Sequence, residues 1–336
     1  MKVIGGNFWL PVVELNKTNI SLHDYLKSLG NVYYHATGRD SIYLVFRKLK
    51  NKKILLPNYI CESIIQPLKK LKISYDFYHI NENFKASIDE KFRNFDYIYI
   101  INYFGWVDES LYDFSKKMNI KIISDVTHLI FNEEKIKYVV GHSEYVIGSL
   151  RKSFPIPDGS FVISKKNVSP YNRIREDFVY KRTYGLISRY FSFLDDFKNT
   201  ENLKILESSE RILDNSASFG YNISFVSENL IKNIPISEYM KKTKINFMYL
   251  EKELGVKYNF YSQYFPILFK EKNERDRIRK ILFDNMIFPP IHWDTSFLKE
   301  NYNQLSEKIL SIPCDYRYNI EDMKRIVDLI KGATKI

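Results

Sequence analysis

The chain has 336 residues, enough for one large domain and a smaller one, and its 45% hydrophobic and 16% aromatic content is typical of globular proteins. The net charge of +11 would suit a polyanionic partner, but the basic residues are spread along the chain without a nucleic-acid motif, so we predict no nucleic-acid binding. No segment has the roughly 18 uncharged apolar residues that a membrane span needs, and we predict no membrane association.

The cysteines and the N-terminal residues indicate in which cellular compartment the protein is expected. The two cysteines, Cys61 and Cys314, cannot form a disulfide framework and favour a reducing interior. The apolar run in residues 1–11 is too short and too interrupted for a signal peptide. We therefore expect a soluble, cytoplasmic protein.

Residues 1–35 contain aromatic residues and prolines without a clear period, and we predict an arm with one short helix near residues 21–29. Gly38 and Arg39 then open a helix whose apolar face follows the spacing i, i+3, i+4, i+7 through Ile42, Val45, Phe46 and Leu49. A glycine turn at a helix N-terminus presents free backbone N–H groups, which bind phosphate together with the helix dipole. A single glycine there is also an ordinary N-cap.

Short apolar runs then alternate with single helices. The predicted strands are residues 54–57, 73–80, 97–103 and 121–125. The predicted helices between them include one with Ile64, Ile65, Leu68 and Leu71 on one side, and one at residues 110–118. Strands separated by single helices favour right-handed crossovers and a mostly parallel sheet, so we predict an α/β fold.

The fourth of these strands ends on an acidic residue, Asp125, and His128 follows three residues later. A carboxylate at the tip of a parallel strand points into the crevice where open α/β sheets bind ligands. Taken alone, an aspartate at a strand end is more often a helix cap or a turn former. A single nearby histidine is more often just hydrogen-bonded.

A lysine on a loop follows one strand later. Residues 145–147 form a predicted strand, Ser149 ends it, and Lys152 precedes another predicted strand at residues 160–163. A lysine at the strand ends can be desolvated so that its amine is neutral near pH 7 and can bond to an aldehyde cofactor. Because the chain has 51 Lys and Arg residues, any one lysine is more often a solvated surface charge.

Asp125 and Lys152 together fit pyridoxal phosphate, which needs a lysine for its aldehyde and an acid that keeps its pyridine nitrogen protonated. His128 could then reach the phenolic oxygen of the cofactor. The pair carries more weight than either residue alone, because the two follow each other on successive strands.

The second half of the chain is more helical. Predicted helices cover residues 171–190, 202–213, 237–254 and 273–285, predicted strands cover 264–270 and 287–293, and a last helix begins at residues 319–322. The two prolines at 289 and 290 favour an edge strand. We predict three parts: an N-terminal arm (1–35), a large domain (36–234) that binds the cofactor, and a small C-terminal α/β domain (235–336).

Six motifs occur in the order and spacing of fold-type I pyridoxal-phosphate enzymes of the aspartate aminotransferase superfamily, and the chain most resembles the DegT/StrS sugar aminotransferases. They are Thr37-Gly38-Arg39, Leu55-Leu56-Pro57-Asn58-Tyr59, Asn102-Tyr103-Phe104-Gly105, Asp125-Val126-Thr127-His128, Ser149-Leu150-Arg151-Lys152 and Gly220-Tyr221-Asn222. The resemblance continues through Phe265-Pro266-Ile267, Pro290-Ile291-His292-Trp293 and Ile312-Pro313, so it covers nearly all of the chain. It implies a three-layer large domain and a smaller C-terminal domain.

The resemblance also implies roles for single residues. Lys152 would be the Schiff-base lysine and the general acid and base, Asp125 the partner of the pyridine nitrogen, and His128 the neighbour of the phenolic oxygen. The residues that would hold the phosphate are Gly38, Arg39, Ser149 and, from the second subunit of a homodimer, Asn222.

Two departures from the family pattern concern the cofactor ring and the lysine loop. Many of these enzymes have an aromatic residue four positions after the strand-ending proline, where it stacks on the ring, but this chain has Cys61. Tyr59 or another group would have to cover that face. The glycine pair that usually follows the lysine loop is Gly159-Ser160 here.

The favoured function is a cytoplasmic, homodimeric aminotransferase with shared active sites. It would move an amino group from glutamate to a nucleotide-linked keto sugar in surface polysaccharide or related sugar biosynthesis. Two alternatives stay open: another pyridoxal-phosphate reaction, such as decarboxylation or dehydration of an amino acid or sugar, or a non-catalytic binding protein on the same scaffold. We predict no metal site.

Overall fold

The computed structural model describes residues 2–10, 20–194 and 201–334. Its strands are β1 (Ile4–Gly5), β2 (Val32–His35), β3 (Ile54–Pro57), β4 (Tyr75–Ile80), β5 (Ala86–Ser87), β6 (Tyr97–Ile101), β7 (Lys121–Asp125), β8 (Tyr145–Gly148), β9 (Ser160–Ile163), β10 (Tyr264–Leu268), β11 (Ile287–Phe288) and β12 (Ile309–Pro313). Its α-helices are α1 (Leu22–Ser28), α2 (Gly38–Lys48), α3 (Glu62–Leu71), α4 (Glu109–Lys117), α5 (Glu133–His142), α6 (Glu176–Leu194), α7 (Glu201–Asp214), α8 (Phe225–Ile231), α9 (Ile236–Leu254), α10 (Lys272–Asp284), α11 (Leu305–Lys308) and α12 (Ile320–Thr334). No helix within these ranges is both long and apolar enough to cross a membrane.

The main sheet has eight strands in the order β2-β9-β8-β7-β6-β3-β4-β5. Neighbouring strands from β8 through β7, β6 and β3 to β4 are parallel. Strands β2, β9 and β5 pair antiparallel at the two sides. Helices α3, α4 and α5 provide the crossovers that parallel neighbours require. The prediction of a mostly parallel α/β sheet is confirmed.

The central strands are buried on both faces. Every residue of β3, β6, β8 and β9 is buried, and their sequences are runs such as Ile-Leu-Leu-Pro and Tyr-Ile-Tyr-Ile-Ile rather than alternating patterns. Continuous apolar runs are typical of strands that are covered by helices on both sides. The burial therefore explains why strand predictions in this region are reliable.

The N-terminal region differs from the predicted arm. Strand β2 lies within residues 1–35, yet it pairs with β9 at the edge of the main sheet, where Val32 is opposite Ile163 and His35 is opposite Ser160. Its four residues are too few to show a period, and the pairing depends on a partner more than 120 residues away. The predicted short helix is present as α1, whereas residues 11–19 of the predicted arm lie outside the described residues.

The structure differs from the sequence-based expectations at two further elements. The strand predicted at 287–293 is only β11, because Pro289 and Pro290 carry no N–H group for a ladder. Helix α5 was not predicted, although Asn132 caps it by accepting a hydrogen bond from the backbone N–H of Lys135 at 3.2 Å. Its hydrophobic face is narrow, since only Ile136 and Val139 are buried.

The C-terminal elements form a second, smaller α/β unit. Strand β10 pairs antiparallel with β12, with Phe265 opposite Ile312, and both side chains are fully buried. Strand β1 pairs in parallel with β11, so the N-terminus is part of this unit. The domain boundaries at residues 35 and 234 remain predictions; residues 195–200 and 335–336 lie outside the described residues.

Candidate active site

The carboxyl ends of three adjacent strands meet at one cavity. Asp125 in β7 is the register partner of Ile101 in β6 and of Ile147 in β8, and all three residues line the cavity. The carboxyl edge of an open parallel sheet is the usual place for a ligand. The remaining lining residues come from the loops after β7 and β8, from helices α2, α3 and α7 with the residues that precede α2 and α3, and from the segment after β11.

The Asp125 carboxyl group is fixed by two hydrogen bonds. Tyr99 in β6 donates its hydroxyl to Oδ2 at 3.0 Å, and the backbone N–H of Thr127 donates to Oδ1 at 2.9 Å. The side-chain amide of Asn102 donates to the Asp125 carbonyl at 3.0 Å, which ties the following turn to the strand end. The carboxyl group is therefore held in one orientation at the cavity.

His128 is a neutral imidazole in this site. Burial, then the charges of His292 and Lys152, lower the pKa of His128 well below its ordinary value. The backbone N–H of Phe104 donates to Nδ1 at 3.4 Å. A neutral ring that accepts at Nδ1 carries its proton on Nε2, so this nitrogen is a donor.

The N-terminus of α2 and the loop after β8 form a cradle for an anion. An added Cβ atom on Gly38 would lie 3.6 Å from Cβ and 3.8 Å from Oγ of Ser149, so the Ser149 side chain lies beside the start of α2. Thr37 caps the helix by accepting from the N–H of Asp40, while the N–H groups of Gly38 and Arg39 have no partner within the helix. Among the described residues, the Ser149 hydroxyl also has no hydrogen-bond partner, and it faces these N–H groups.

Lys152 lies on a single helical turn, Leu150–Lys152, and lines the cavity together with His128. Its charge contributes to the lowered pKa of both His128 and His292. Gln263 donates its side-chain amide to the Lys152 carbonyl at 3.3 Å. The side chain is exposed in the single chain, so the chain by itself does not provide the burial that was expected of a neutral amine.

Helix α7 contributes two carboxylates beside the cavity, which the sequence did not indicate. Arg39 donates to Asp214 at 2.6 Å, and Arg151 forms a two-pronged pair with Glu210 at 2.8 and 3.1 Å. Both arginines line the cavity. Arg39 was expected to hold a phosphate, and the structure places its guanidinium on a carboxylate instead, while its backbone N–H remains available.

Tyr59 does not line the cavity. It is fully buried, its hydroxyl donates to the His292 carbonyl, and its ring lies 5.4 Å from Trp293 and 5.2 Å from Tyr103. This placement gives no support to Tyr59 as the residue that covers a cofactor ring, and that role stays a prediction.

Asn222 also does not line the cavity of its own chain. Its backbone N–H donates to the Arg173 carbonyl at 2.9 Å. The preceding turn is anchored by the buried Asp40, which accepts from the N–H groups of Gly220 at 2.8 Å and Tyr221 at 3.2 Å. The predicted role of Asn222 in a second subunit is neither supported nor opposed by these contacts.

Trp293 is a lining residue to which sequence reasoning gave no role. Its ring is nearly parallel to that of His128, with centroids 5.4 Å apart and an angle of 15°. The Pro290-Ile291-His292-Trp293 segment was noted only as part of the resemblance. Nothing in the sequence indicates that this segment of the C-terminal unit reaches the strand ends of the main sheet.

Comparison with solved structures gives matches over nearly the whole chain. PseC from Helicobacter pylori, an aminotransferase involved in the biosynthesis of pseudoaminic acid, is 12% identical, with 99% of each chain covered and a TM-score of 0.63. The putative sugar aminotransferase Spr1654 from Streptococcus pneumoniae, in its PMP form, is 12% identical, covering 95% of this chain and 91% of that one, with a TM-score of 0.63. A DegT DnrJ EryC1 StrS aminotransferase from Brucella abortus is 12% identical, covering 94% and 91%, with a TM-score of 0.62.

No protein-family model matches the sequence, and no curated protein matches it. The structural likeness therefore rests on shape at low identity, and it establishes the fold. The chain has the fold of the sugar aminotransferases above, and the fold class predicted from the sequence is confirmed.

Replacing Lys152 with methionine should raise the pKa of His292. Burial, followed by the charge of Lys152, lowers that pKa to about 3, and removing a nearby positive charge favours the protonated ring. His35 is the internal control: burial lowers its pKa to about 4, and its ring bonds to Ser41 and Val168 rather than facing Lys152. NMR titration of ring-labelled histidines measures both. Unchanged titration of His292 would show that the amine is not beside it.

Proposed function

We propose that the chain is a pyridoxal-phosphate-dependent aminotransferase that transfers an amino group from glutamate to a keto sugar. The observation that supports this most strongly is that Gly38, Asp125, His128, Ser149 and Lys152, which are far apart in sequence, all line one cavity. The fold alone would not require these five residue types to meet.

The donor and acceptor groups of the cavity fit this cofactor. The fixed Asp125 carboxyl is an acceptor for a protonated pyridine nitrogen, and Nε2 of His128 is a donor for a phenolic oxygen. The free N–H groups at Gly38 and Arg39, with the Ser149 hydroxyl, suit a phosphate at the positive end of the α2 dipole. Because each polar feature of the cofactor has a counterpart, the residues present fit the group.

When bound, the cofactor would supply an aldehyde that exchanges amino groups and a ring that withdraws the electrons left by proton removal. The Lys152 amine would be its covalent attachment point and would move the proton at the reacting carbon of each substrate. Asp125 would hold the proton on the pyridine nitrogen. His128, as a neutral donor, would orient the ring without adding a positive charge next to Lys152.

The substrate class is inferred from the structural neighbours. PseC acts in pseudoaminic acid biosynthesis, and the other neighbours named above are described as sugar aminotransferases or as DegT DnrJ EryC1 StrS aminotransferases. The net charge of +11 would attract a phosphorylated, nucleotide-linked keto sugar. We therefore place the enzyme in cytoplasmic surface-polysaccharide or related sugar biosynthesis.

A homodimer with shared sites would give Asn222 a function that its own chain does not. Asn222 does not line the cavity of its own chain, and Phe225 and Val226, three and four residues later, are 75% and 40% exposed. Neighbouring exposed apolar side chains can mark an interaction surface. In a two-fold dimer, the Asn222 of each subunit could reach the phosphate of the other.

Reduction with borohydride should fix pyridoxal phosphate on Lys152, because reduction makes the bond to the lysine amine permanent. Peptide mass spectrometry then identifies the modified residue, and Lys166, an exposed lysine that pairs with Glu144, is the internal control. Lys152→Ala should lose amino transfer while it keeps its fold. An adduct on another lysine would reject the assignment of Lys152.

Mixing two inactive variants tests the shared site. Lys152→Ala and Asn222→Ala subunits should each have low activity alone. In a mixed dimer, one site contains both substitutions and the other contains neither, so a mixed dimer should have about half of the wild-type activity. An equal mixture after full exchange is half mixed dimers and should recover about a quarter of the wild-type activity. Subunit exchange is verified with differently tagged chains, and exchange without recovered activity would contradict the shared site.

A further inference from the structure

The flat ring of pyridoxal phosphate would be stabilised in the cavity by an aromatic side chain packed on its face, because aromatic pairs contribute favourable packing energy. Cys61 lines the cavity, at the position where the family that the sequence resembles often has the aromatic residue that stacks on the ring. Its thiol, 3.1 Å from the Ser63 hydroxyl, is too small to cover a ring. This side of the cavity therefore lacks an aromatic residue from the strand–helix loop of the main sheet.

Trp293 is the one lining residue, within the described part of the chain, that carries a Trp, Tyr or Phe side chain. Tyr59, two residues before Cys61, packs against its indole at 5.4 Å, and Tyr103 packs at 5.9 Å. The indole therefore lies next to the backbone segment that contains Cys61. Cys61 and Trp293 line the same cavity.

Contacts on several sides hold the indole in place before any ligand binds. His128 lies parallel to it at 5.4 Å, and the Tyr59 hydroxyl donates to the carbonyl of His292, the residue before Trp293. Fully buried Tyr59 is itself fixed by Tyr103, whose hydroxyl donates to its carbonyl at 2.5 Å. A side chain held in this way loses little conformational entropy when a ring packs on it.

We propose that Trp293 covers one face of the pyridoxal phosphate ring, in the space left by the small side chain of Cys61. This inference rests on the proposed function and adds a cofactor contact from the C-terminal unit. The covering residue then belongs to the segment after β11, so cofactor binding depends on the position of this segment relative to the main sheet.

Equilibrium dialysis of pyridoxal phosphate against the full-length protein tests the inference. Trp293→Leu removes the aromatic face and should weaken binding about two- to tenfold, the size of an aromatic pair's contribution. Trp293→Phe keeps a ring and should bind within about twofold of wild type. Trp106→Leu is the matched control, because Trp106 lines a separate cleft with Lys85 and Phe260.

Tryptophan fluorescence gives a second readout that does not depend on activity. Bound cofactor should quench the tryptophan emission of the wild-type protein. This quenching should decrease more in Trp293→Phe than in Trp106→Phe, because energy transfer is most efficient to a ring in contact with the indole. Unfolding curves confirm that each variant is folded.

Two outcomes would contradict the inference in different ways. If Trp293→Leu is folded and binds pyridoxal phosphate like wild type, the inference is wrong although the proposed function stands. A rise in KM for the sugar substrate in this variant would then show that the indole contacts the substrate. If wild-type protein itself does not bind pyridoxal phosphate, the proposed function fails and the inference fails with it.

Discussion

The register between strands β6 and β7 is the constraint on which the rest of the site depends. It places Asp125 beside Ile101 and brings the Tyr99 hydroxyl within 3.0 Å of the carboxyl group. A shift by one residue would turn Asp125 to the other face of the sheet and leave Tyr99 without this partner. Because the central strands are buried on both faces, the packing of helices on the sheet fixes this register.

The electrostatics of the cavity follow from what surrounds Lys152. The neighbouring histidines are held neutral by burial, while the carboxylates of α7 pair with the two arginines on the cavity wall. Lys152 has no ion pair within the described ranges, and it lines the cavity together with Gly38 at the start of α2 and Ser149. This arrangement suits a ligand that brings its own aldehyde and phosphate.

The sequence predicted the parts of the site that depend on local pattern. Asp125 ends a short apolar strand, Lys152 lies on the loop after another, and Gly38 begins an amphipathic helix, but their assignment to one site rested on their combination and on the family resemblance. Local pattern could not indicate Trp293 or the carboxylates of α7, because these reach the cavity through packing between elements that are distant in sequence. Strand β2 was missed for the same reason: its partner in the sheet is β9, which is distant in sequence.

The central claim is that the Asp125 carboxyl serves catalysis and not the fold, and Asp125→Asn tests it most directly. An amide keeps the volume, its oxygen can accept from the Thr127 N–H, and its nitrogen can donate to the Tyr99 hydroxyl oxygen, so the unfolding free energy should change by less than about 1.5 kcal/mol. An amide cannot hold the pyridine proton, so single-turnover amino transfer from glutamate should slow at least about tenfold, or 1.4 kcal/mol of barrier. Asp113→Asn, at an exposed position of α4, is the control and should leave both quantities unchanged. Transfer near the wild-type rate, or a loss of stability as large as the loss of rate, would contradict the account.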